Sequence, residues 1–156
     1  MPMSATLKSY LEQRGAEYEL LPHPHTESSM EAAAAAHVSG DRLAKAVGLK
    51  DGDAGLVVVL PADYHVHLGR LHHALDRTVG LATEAELVEL FPDCDLGAIP
   101  PLGAAYGLET LVDPRILEPP EIYFESGDDE ILVKVDGATF RSLLGEARQV
   151  DVAEHI

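Results

Sequence analysis

The most constraining feature of the sequence is an uninterrupted apolar segment at residues 55–61, which has the length of one β-strand. Because it lacks polar side chains, neither of its faces suits water, and other elements must cover both. The preceding residues 43–50 alternate, which places Leu43, Lys45, Val47 and Leu49 on one face of a second strand. The sequence therefore predicts a central strand pair inside a layered fold.

Helices and further strands are predicted on both sides of this pair. Ser4 is placed to cap a first helix that ends at Gly15, Ser28 with Glu31 has capping-box spacing, and Thr83 begins another helix. The other predicted elements are strands at 17–21, 65–68, 109–112, 121–125 and 131–135 and helices at 29–37, 71–75 and 138–144. Neither a repeat nor a linker interrupts them, so we expect one α+β (mixed α/β) domain over residues 1–156.

The net charge and the cysteine count of the chain restrict the classes of function that it can have. There are 27 acidic against 11 basic residues, a formal net charge of −16, which argues against broad nucleic-acid binding because that needs a basic face. Cys94 is the only cysteine, which excludes an intrachain disulfide and a Cys-based zinc site and favours a cytoplasmic location. No leader-like or membrane-spanning stretch is evident, so we expect no membrane association.

Lys45 is the first candidate functional residue. An ammonium in an apolar row must reach an edge, find an anion or accept a lowered pKa. Its functional interpretation is a site for an anion. The structural alternative is an edge strand or pairing with one of the many carboxylates.

The Gly- and Pro-rich loop at residues 97–103 is the second candidate. Glycine lets a ligand approach the backbone closely, Pro100 and Pro101 restrict the loop, and exposed N–H groups can bind an ester carbonyl or its oxyanion. The alternative is a loop that only packs.

Other patterns are weaker. His65 and His67 would share one strand face and could bind a metal, although no zinc signature surrounds them. Cys94 lies between Asp93 and Asp95, which discourages a reactive thiolate. The acidic segment 125–130 is expected to be a solvated turn. No GxSxG, Walker or GxGxxG motif is present.

In order along the chain, these features resemble the YbaK/EbsC family, free-standing relatives of the editing domain inserted in bacterial prolyl-tRNA synthetase. The matching parts are the N-terminal helix and strand, His25 and Thr26 with the Ala-rich helix, residues 41–50 around Lys45, the strand 57–61, the loop at 97–103, residues 112–113 and the final strand pair with its helix. The resemblance implies a strongly curved mixed sheet with surrounding helices.

The same resemblance implies hydrolysis of the ester that joins a wrong amino acid to tRNA, most often tRNA-Pro. Lys45 would hold the terminal adenosine's phosphate or sugar, and the backbone of Gly97 and Ala98 would polarise the ester carbonyl. A substrate hydroxyl would help to activate water, with no cofactor and no metal. The residues expected to bind substrate are His25, Thr26, Ile99, Pro100, Pro101 and Gly103.

The expected partners are the acceptor end of mischarged tRNA and a synthetase, prolyl-tRNA synthetase or another; DNA is not expected. Ala46 departs from the threonine of many relatives, which keeps open a binding module that has lost catalysis. A His65/His67 metal hydrolase is the third alternative. Because an editing domain touches mainly the acceptor end, the acidic surface predicts weak, salt-sensitive tRNA affinity.

Overall fold

Five α-helices, four short 3₁₀-helices and ten β-strands form the regular structure of residues 3–156 in the computed structural model. The helices are α1 (Ala5–Gln13), α2 (Ser29–Ala35), α3 (Leu68–Leu75), α4 (Glu84–Leu90) and α5 (Gly137–Leu144). The strands are β1 (Glu19–Pro22), β2 (Leu43–Asp51), β3 (Ala54–Pro61), β4 (Tyr64–Val66), β5 (Gly80–Leu81), β6 (Glu109–Val112), β7 (Glu121–Glu125), β8 (Ile131–Asp136), β9 (Arg148–Gln149) and β10 (Ala153–His155). Met1 and Pro2 of the predicted domain lie outside the described residues.

The main sheet is mixed and has β2 and β3 at its centre. Its order is β1-β8-β7-β2-β3-β6-β9, with β5 added to β2, and β10 pairs with β4 in a separate two-stranded sheet. Parallel pairs join β2 to β7, β3 to β6 and β6 to β9. The predicted α+β fold with one mixed sheet is thus confirmed.

Both faces of β3 are buried, as its uninterrupted apolar sequence predicts. Val57 and Val59 belong to one core, which α1 and α5 also enter, whereas Val58 and Leu60 belong to a second core beneath α3. The alternation along β2 follows the same division, since Ala44 packs in the first core and Leu49 in the second. Apolar burial on two faces is what fixes this strand pair at the centre.

The sheet opens along one edge of β2. Leu43 and Ala44 pair with Tyr123 and Phe124 of β7, after which the two strands separate. The same edge pairs again only at Leu49 and Lys50, with β5. Between these contacts, residues 45–47 face an opening, and the cleft of the candidate site lies there.

Several local predictions are confirmed. Ser4 caps α1, Ser28 caps α2 through the Glu31 N–H, and Thr83 with Glu86 forms a complete capping box on α4. The predicted strand at 65–68 is shorter, because His67 already accepts the Arg70 N–H and caps α3.

Within residues 3–156, no helix has the length and apolar composition of a membrane crossing.

Candidate functional site

A cleft of about 250 Å³ lies at the opening beside β2. Its lining is almost wholly apolar or small: Ser29, Ala46, Val47, Gly48, Leu81, Ala82, Leu87, Leu96, Gly97 and Ile99. Strand β2 supplies one wall, β5 and α4 a second, the start of α2 a third and the Gly-rich loop the fourth. No charged side chain of the described residues lines it, so the cleft suits a small aliphatic group.

Two residues of the Gly-rich loop that line this cleft have backbone N–H groups without an acceptor in the described structure. Gly97 and Ile99 line it, and among residues 3–156 neither N–H has a hydrogen-bond acceptor. The Ala98 N–H, in contrast, donates to the Asp95 carbonyl at 3.0 Å, and the Ala98 carbonyl accepts from Gly127 at 2.9 Å. Two N–H groups with one intervening residue are therefore free to meet a carbonyl oxygen.

Close packing explains why glycine stands at position 97. A Cβ on Gly97 would lie 2.7 Å from the carbonyl oxygen of Glu27, which is a backbone atom. The segment that leads into α2 therefore lies directly against the loop. Of the other predicted loop residues, Pro100, Pro101 and Gly103 are buried and are not among the residues that line the cleft.

Lys45 lies at the start of the opening, one residue before Ala46 of the cleft. Its side chain leaves β2 on the opposite face from Ala46, and Nζ is 3.4 Å from the carbonyl oxygen of Ala62. Burial lowers the pKa of Lys45, and the nearby Asp63 carboxylate partly offsets that effect. The lysine is thus half-buried and lacks a carboxylate within salt-bridge distance among the described residues.

The acidic segment 125–130 is not the solvated turn expected from its sequence. Ser126 and Asp128 are buried, because the turn folds under the Gly-rich loop: the Gly127 carbonyl accepts from Asp95 at 2.8 Å. The Ser126 hydroxyl accepts the Asp128 N–H and donates to the Ile131 carbonyl. Charge content predicted exposure, but these internal hydrogen bonds allow the turn to be buried.

His25 and Thr26 reach this turn at the rim of the site. His25 Nδ1 lies 2.9 Å from an Asp129 carboxylate oxygen, and Thr26 Oγ1 donates to the Asp129 carbonyl at 3.5 Å. The hydrogen bond that His25 donates to Asp129, followed by the negative charge of Asp129, raises the pKa of His25. Both residues hold the segment that carries Glu27 and Ser29, and neither lines the cleft.

Ser29 and Glu125 are two site residues that the sequence analysis did not identify. Ser29 lines the cleft, and its hydroxyl donates to Glu125 Oε1 at 3.4 Å. Glu125 is 1% exposed, and burial raises its pKa to about 8. The only signal in the sequence was a carboxylate at the end of the predicted strand 121–125.

Two arrangements bear on metal binding. Asp95, Asp128 and Asp129 are the only group of three possible ligands within 4.8 Å in residues 3–156, and their oxygens already accept turn N–H groups or face His25. His65 and His67 contact the Glu154 carboxylate at 3.2 and 3.8 Å. In the part of the chain described, these two histidines and Glu154 do not form a second group whose ligand atoms all lie within 4.8 Å of one another.

A larger cleft, of about 510 Å³, lies between Arg42, Tyr64 and Arg115. Asp41 and Glu118 share its lining, and Arg115 is already paired with the buried Asp113 at 2.8 Å. It contains no residue of the Gly-rich loop. We therefore place the candidate site in the smaller cleft, where free backbone donors occur.

Comparison with solved structures shows the same fold. One is the crystal structure of hypothetical protein APE2540, with 25% identity and a TM-score of 0.83, matching 96% of this chain and 99% of that one. Another is a proposed trans-editing enzyme for prolyl tRNA synthetase, with 22% identity and a TM-score of 0.85, matching 99% and 98% of the two chains. A third is a proposed signal transduction protein from Marinobacter aquaeolei VT8, with 20% identity and a TM-score of 0.76. The match covers 98% of this chain and 31% of that one.

No curated protein matches the chain. The model of one protein family, the aminoacyl-tRNA editing domain, matches residues 23–143, which include α2, β2, the Gly-rich loop, the acidic turn and most of α5. This match covers every element that builds the cleft. The chain therefore belongs to the aminoacyl-tRNA editing domain family.

Proposed function

We propose that this protein is a trans-acting aminoacyl-tRNA deacylase that hydrolyses the ester of mischarged tRNA, with tRNA-Pro as the first substrate to test. The observation that carries the proposal is the free N–H groups of Gly97 and Ile99 in an apolar cleft beside Lys45. Family membership supports editing as the reaction class, and tRNA-Pro follows from the resemblance and the description of one structural relative.

The backbone donors account for carbonyl activation. An ester carbonyl that accepts from the Gly97 and Ile99 N–H groups becomes more electrophilic, and the same donors stabilise the oxyanion of the tetrahedral intermediate. The Ala98 N–H, which the family resemblance nominates, would first have to leave the Asp95 carbonyl. Gly97 therefore remains the central donor, with Ile99 beside it.

Lys45 supplies the positive charge that the acceptor end requires. Its ammonium is partly desolvated, so a phosphate offers it a stronger partner than the Ala62 carbonyl at 3.4 Å. The resemblance assigns it the phosphate or sugar of the terminal adenosine. A substrate hydroxyl helps to activate the water that attacks the ester, and the site therefore needs no protein nucleophile.

The size of the cleft restricts which amino acid the substrate can carry. With about 250 Å³ and walls of Ala46, Val47 and Leu87, it accepts a small aliphatic side chain such as that of alanine. Each additional methylene changes binding in such a pocket by only ~1–3 kcal/mol. We therefore expect a graded preference for small amino acids rather than absolute selectivity.

Single-turnover deacylation tests the proposal. Excess protein is mixed with tRNA-Pro that carries alanine, cysteine or proline, and the remaining ester is measured over time against spontaneous hydrolysis. Faster loss of the alanyl ester than of the prolyl ester supports the proposal. Equal ester lifetimes with and without protein, together with saturable tRNA binding, would instead indicate the binding module.

A further inference from the structure

Glu125 carries a carboxylate oxygen that nothing in the described structure satisfies. The residue is 1% exposed, Oε1 accepts the Ser29 hydroxyl at 3.4 Å, and Oε2 has no hydrogen-bond partner within residues 3–156. Burying a carboxyl group without a full set of hydrogen-bond partners is energetically unfavourable. A carboxyl in this state is suited to a cationic partner that arrives with a ligand.

Lys45 does not provide that partner. The parallel register of β2 and β7, extended by one residue past Ala44 and Phe124, sets Lys45 beside Glu125. However, Lys45 Nζ lies near the Ala62 carbonyl, and no salt bridge joins the two residues. Burial, together with the negative charge of Asp129, favours the neutral form of Glu125.

Ser29 connects this carboxyl to the cleft. Its hydroxyl donates to Glu125 and so directs the oxygen lone pairs toward other donors, while the residue itself lines the cleft with Gly97. The remaining walls are apolar or backbone. Ser29 backed by Glu125 is therefore the one place in the cleft lining where a cation can gain a charged acceptor at close range.

We propose that Ser29 and Glu125 form the subsite for the α-ammonium group of the aminoacyl ester, an inference that rests on the proposed function. Every aminoacyl ester carries this ammonium on the carbon next to the ester carbonyl. When the carbonyl meets Gly97, the ammonium lies within the reach of neighbouring side chains. It donates to Ser29 Oγ, and Glu125 loses its proton to solvent and balances the charge.

Ser29 thus contacts the substrate, and Glu125 is a positioning residue that acts through it. The subsite favours α-amino esters over esters whose nitrogen is acylated and neutral. The cleft then recognises three parts of one substrate: the carbonyl by backbone N–H groups, the ammonium by Ser29 and Glu125, and the side chain by the apolar walls.

The test compares alanyl-tRNA-Pro with N-acetyl-alanyl-tRNA-Pro, which keeps the ester but lacks the ammonium. Rates over spontaneous hydrolysis are measured for the wild type and for Glu125→Gln, which preserves the size of the side chain and an oxygen for Ser29. We expect the variant to lose at least tenfold on the alanyl ester and less than threefold on the acetylated ester. Glu121→Gln, the same substitution at the other end of β7, serves as the control and should change neither rate.

Equal losses on the two esters, or an unchanged rate on the alanyl ester, would overturn the ammonium subsite while leaving the deacylase intact. If the wild type hydrolyses neither ester, the proposed function fails and the subsite fails with it. Ser29→Ala provides a second variant should Glu125→Gln not fold. It must show the same selective loss on the alanyl ester, and a uniform loss would contradict the proposal.

Discussion

Lys45 on β2 and Glu125 on β7 stand at the point where the two strands part, one residue beyond the last paired positions, Ala44 and Phe124. The register places both side chains on the same face of the sheet, yet the ammonium lies by the Ala62 carbonyl and the carboxyl lies behind Ser29. In the proposed complex, the lysine ammonium and the Glu125 carboxyl would therefore serve different parts of the substrate, the acceptor end and the amino acid.

Replacement of Lys45 by alanine should weaken both the deacylation and the binding of tRNA. Loss of a charge-assisted contact worth about 1.5–3 kcal/mol lowers kcat/KM for deacylation by roughly 10- to 100-fold. The slope of log affinity against log salt should also become shallower by about 0.7, because one phosphate contact to a single strand is removed. Both quantities follow from deacylation and binding measurements at several salt concentrations.

Lys50→Ala is the matched control for Lys45. Lys50 lies on the same strand, and its ammonium donates to the Asp53 carbonyl at 2.9 Å, away from the cleft. Its removal should leave the deacylation rate within twofold of the wild type. Equal losses in the two variants would show that Lys45 contributes only general charge.

The backbone at position 97 should tolerate no side chain. In Gly97→Ala the new methyl would meet the Glu27 carbonyl oxygen at 2.7 Å, and because that oxygen belongs to the backbone, the loop or the segment before α2 must move. We expect a loss of at least tenfold in kcat and about 1–3 kcal/mol in the free energy of unfolding. In Gly80→Ala no atom lies within 4 Å of the new methyl, so the control should match the wild type. Full activity of Gly97→Ala would remove the loop from the mechanism.

The Cys94 thiol should be unreactive and should take no part in deacylation. Burial raises the pKa of its thiol to about 12, so almost no thiolate is present near neutral pH. We expect Cys94→Ser to retain deacylation within about threefold, and a disulfide reagent to label the folded protein far more slowly than the unfolded chain. A loss of activity beyond 100-fold in a folded Cys94→Ser variant would point to a covalent thioester step instead.

Glu125 should make stability depend on pH. The folded state holds a proton on this residue up to a pKa of about 8, whereas the unfolded chain releases it near its ordinary pKa of 4.5. Folding therefore binds a proton between these values, and the free energy of unfolding falls as the pH rises through that window. Glu125→Gln should remove a decline on the order of a few kcal/mol.

Urea unfolding of the wild type and Glu125→Gln from pH 5 to pH 8.5 checks this dependence. The difference between the two proteins should grow with pH in favour of the variant. A difference that stays constant over the range would show that Glu125 is ionised throughout in the folded protein.

The sequence was sufficient to predict the elements whose signals are local. The two-faced burial of β3 follows from its apolar run, and the caps at Ser28 and Thr83 follow from their spacing to glutamate. The strands β9 and β10, with two and three residues, are too short to produce a pattern. Their pairing depends on β6 and β4, which are distant in sequence.

The site was predicted only in part for a related reason. Lys45 and Gly97 can be recognised in the sequence itself. Lys45 is a charged residue in an apolar row, and Gly97 lies shortly before a pair of prolines. Ser29 and Glu125 cannot be recognised in this way, since a serine that starts a helix and a glutamate that ends a strand are ordinary. Their relationship arises from the packing of α2 over β7, which only the tertiary structure reveals.

Single-turnover hydrolysis of alanyl-tRNA-Pro by the wild-type protein tests the central claim most directly. The account predicts a rate at least tenfold above spontaneous hydrolysis, lost in Lys45→Ala and Gly97→Ala and kept in Lys50→Ala and Gly80→Ala. An ester lifetime that is the same with and without protein, on this tRNA and across a broad panel of mischarged tRNAs, would contradict it.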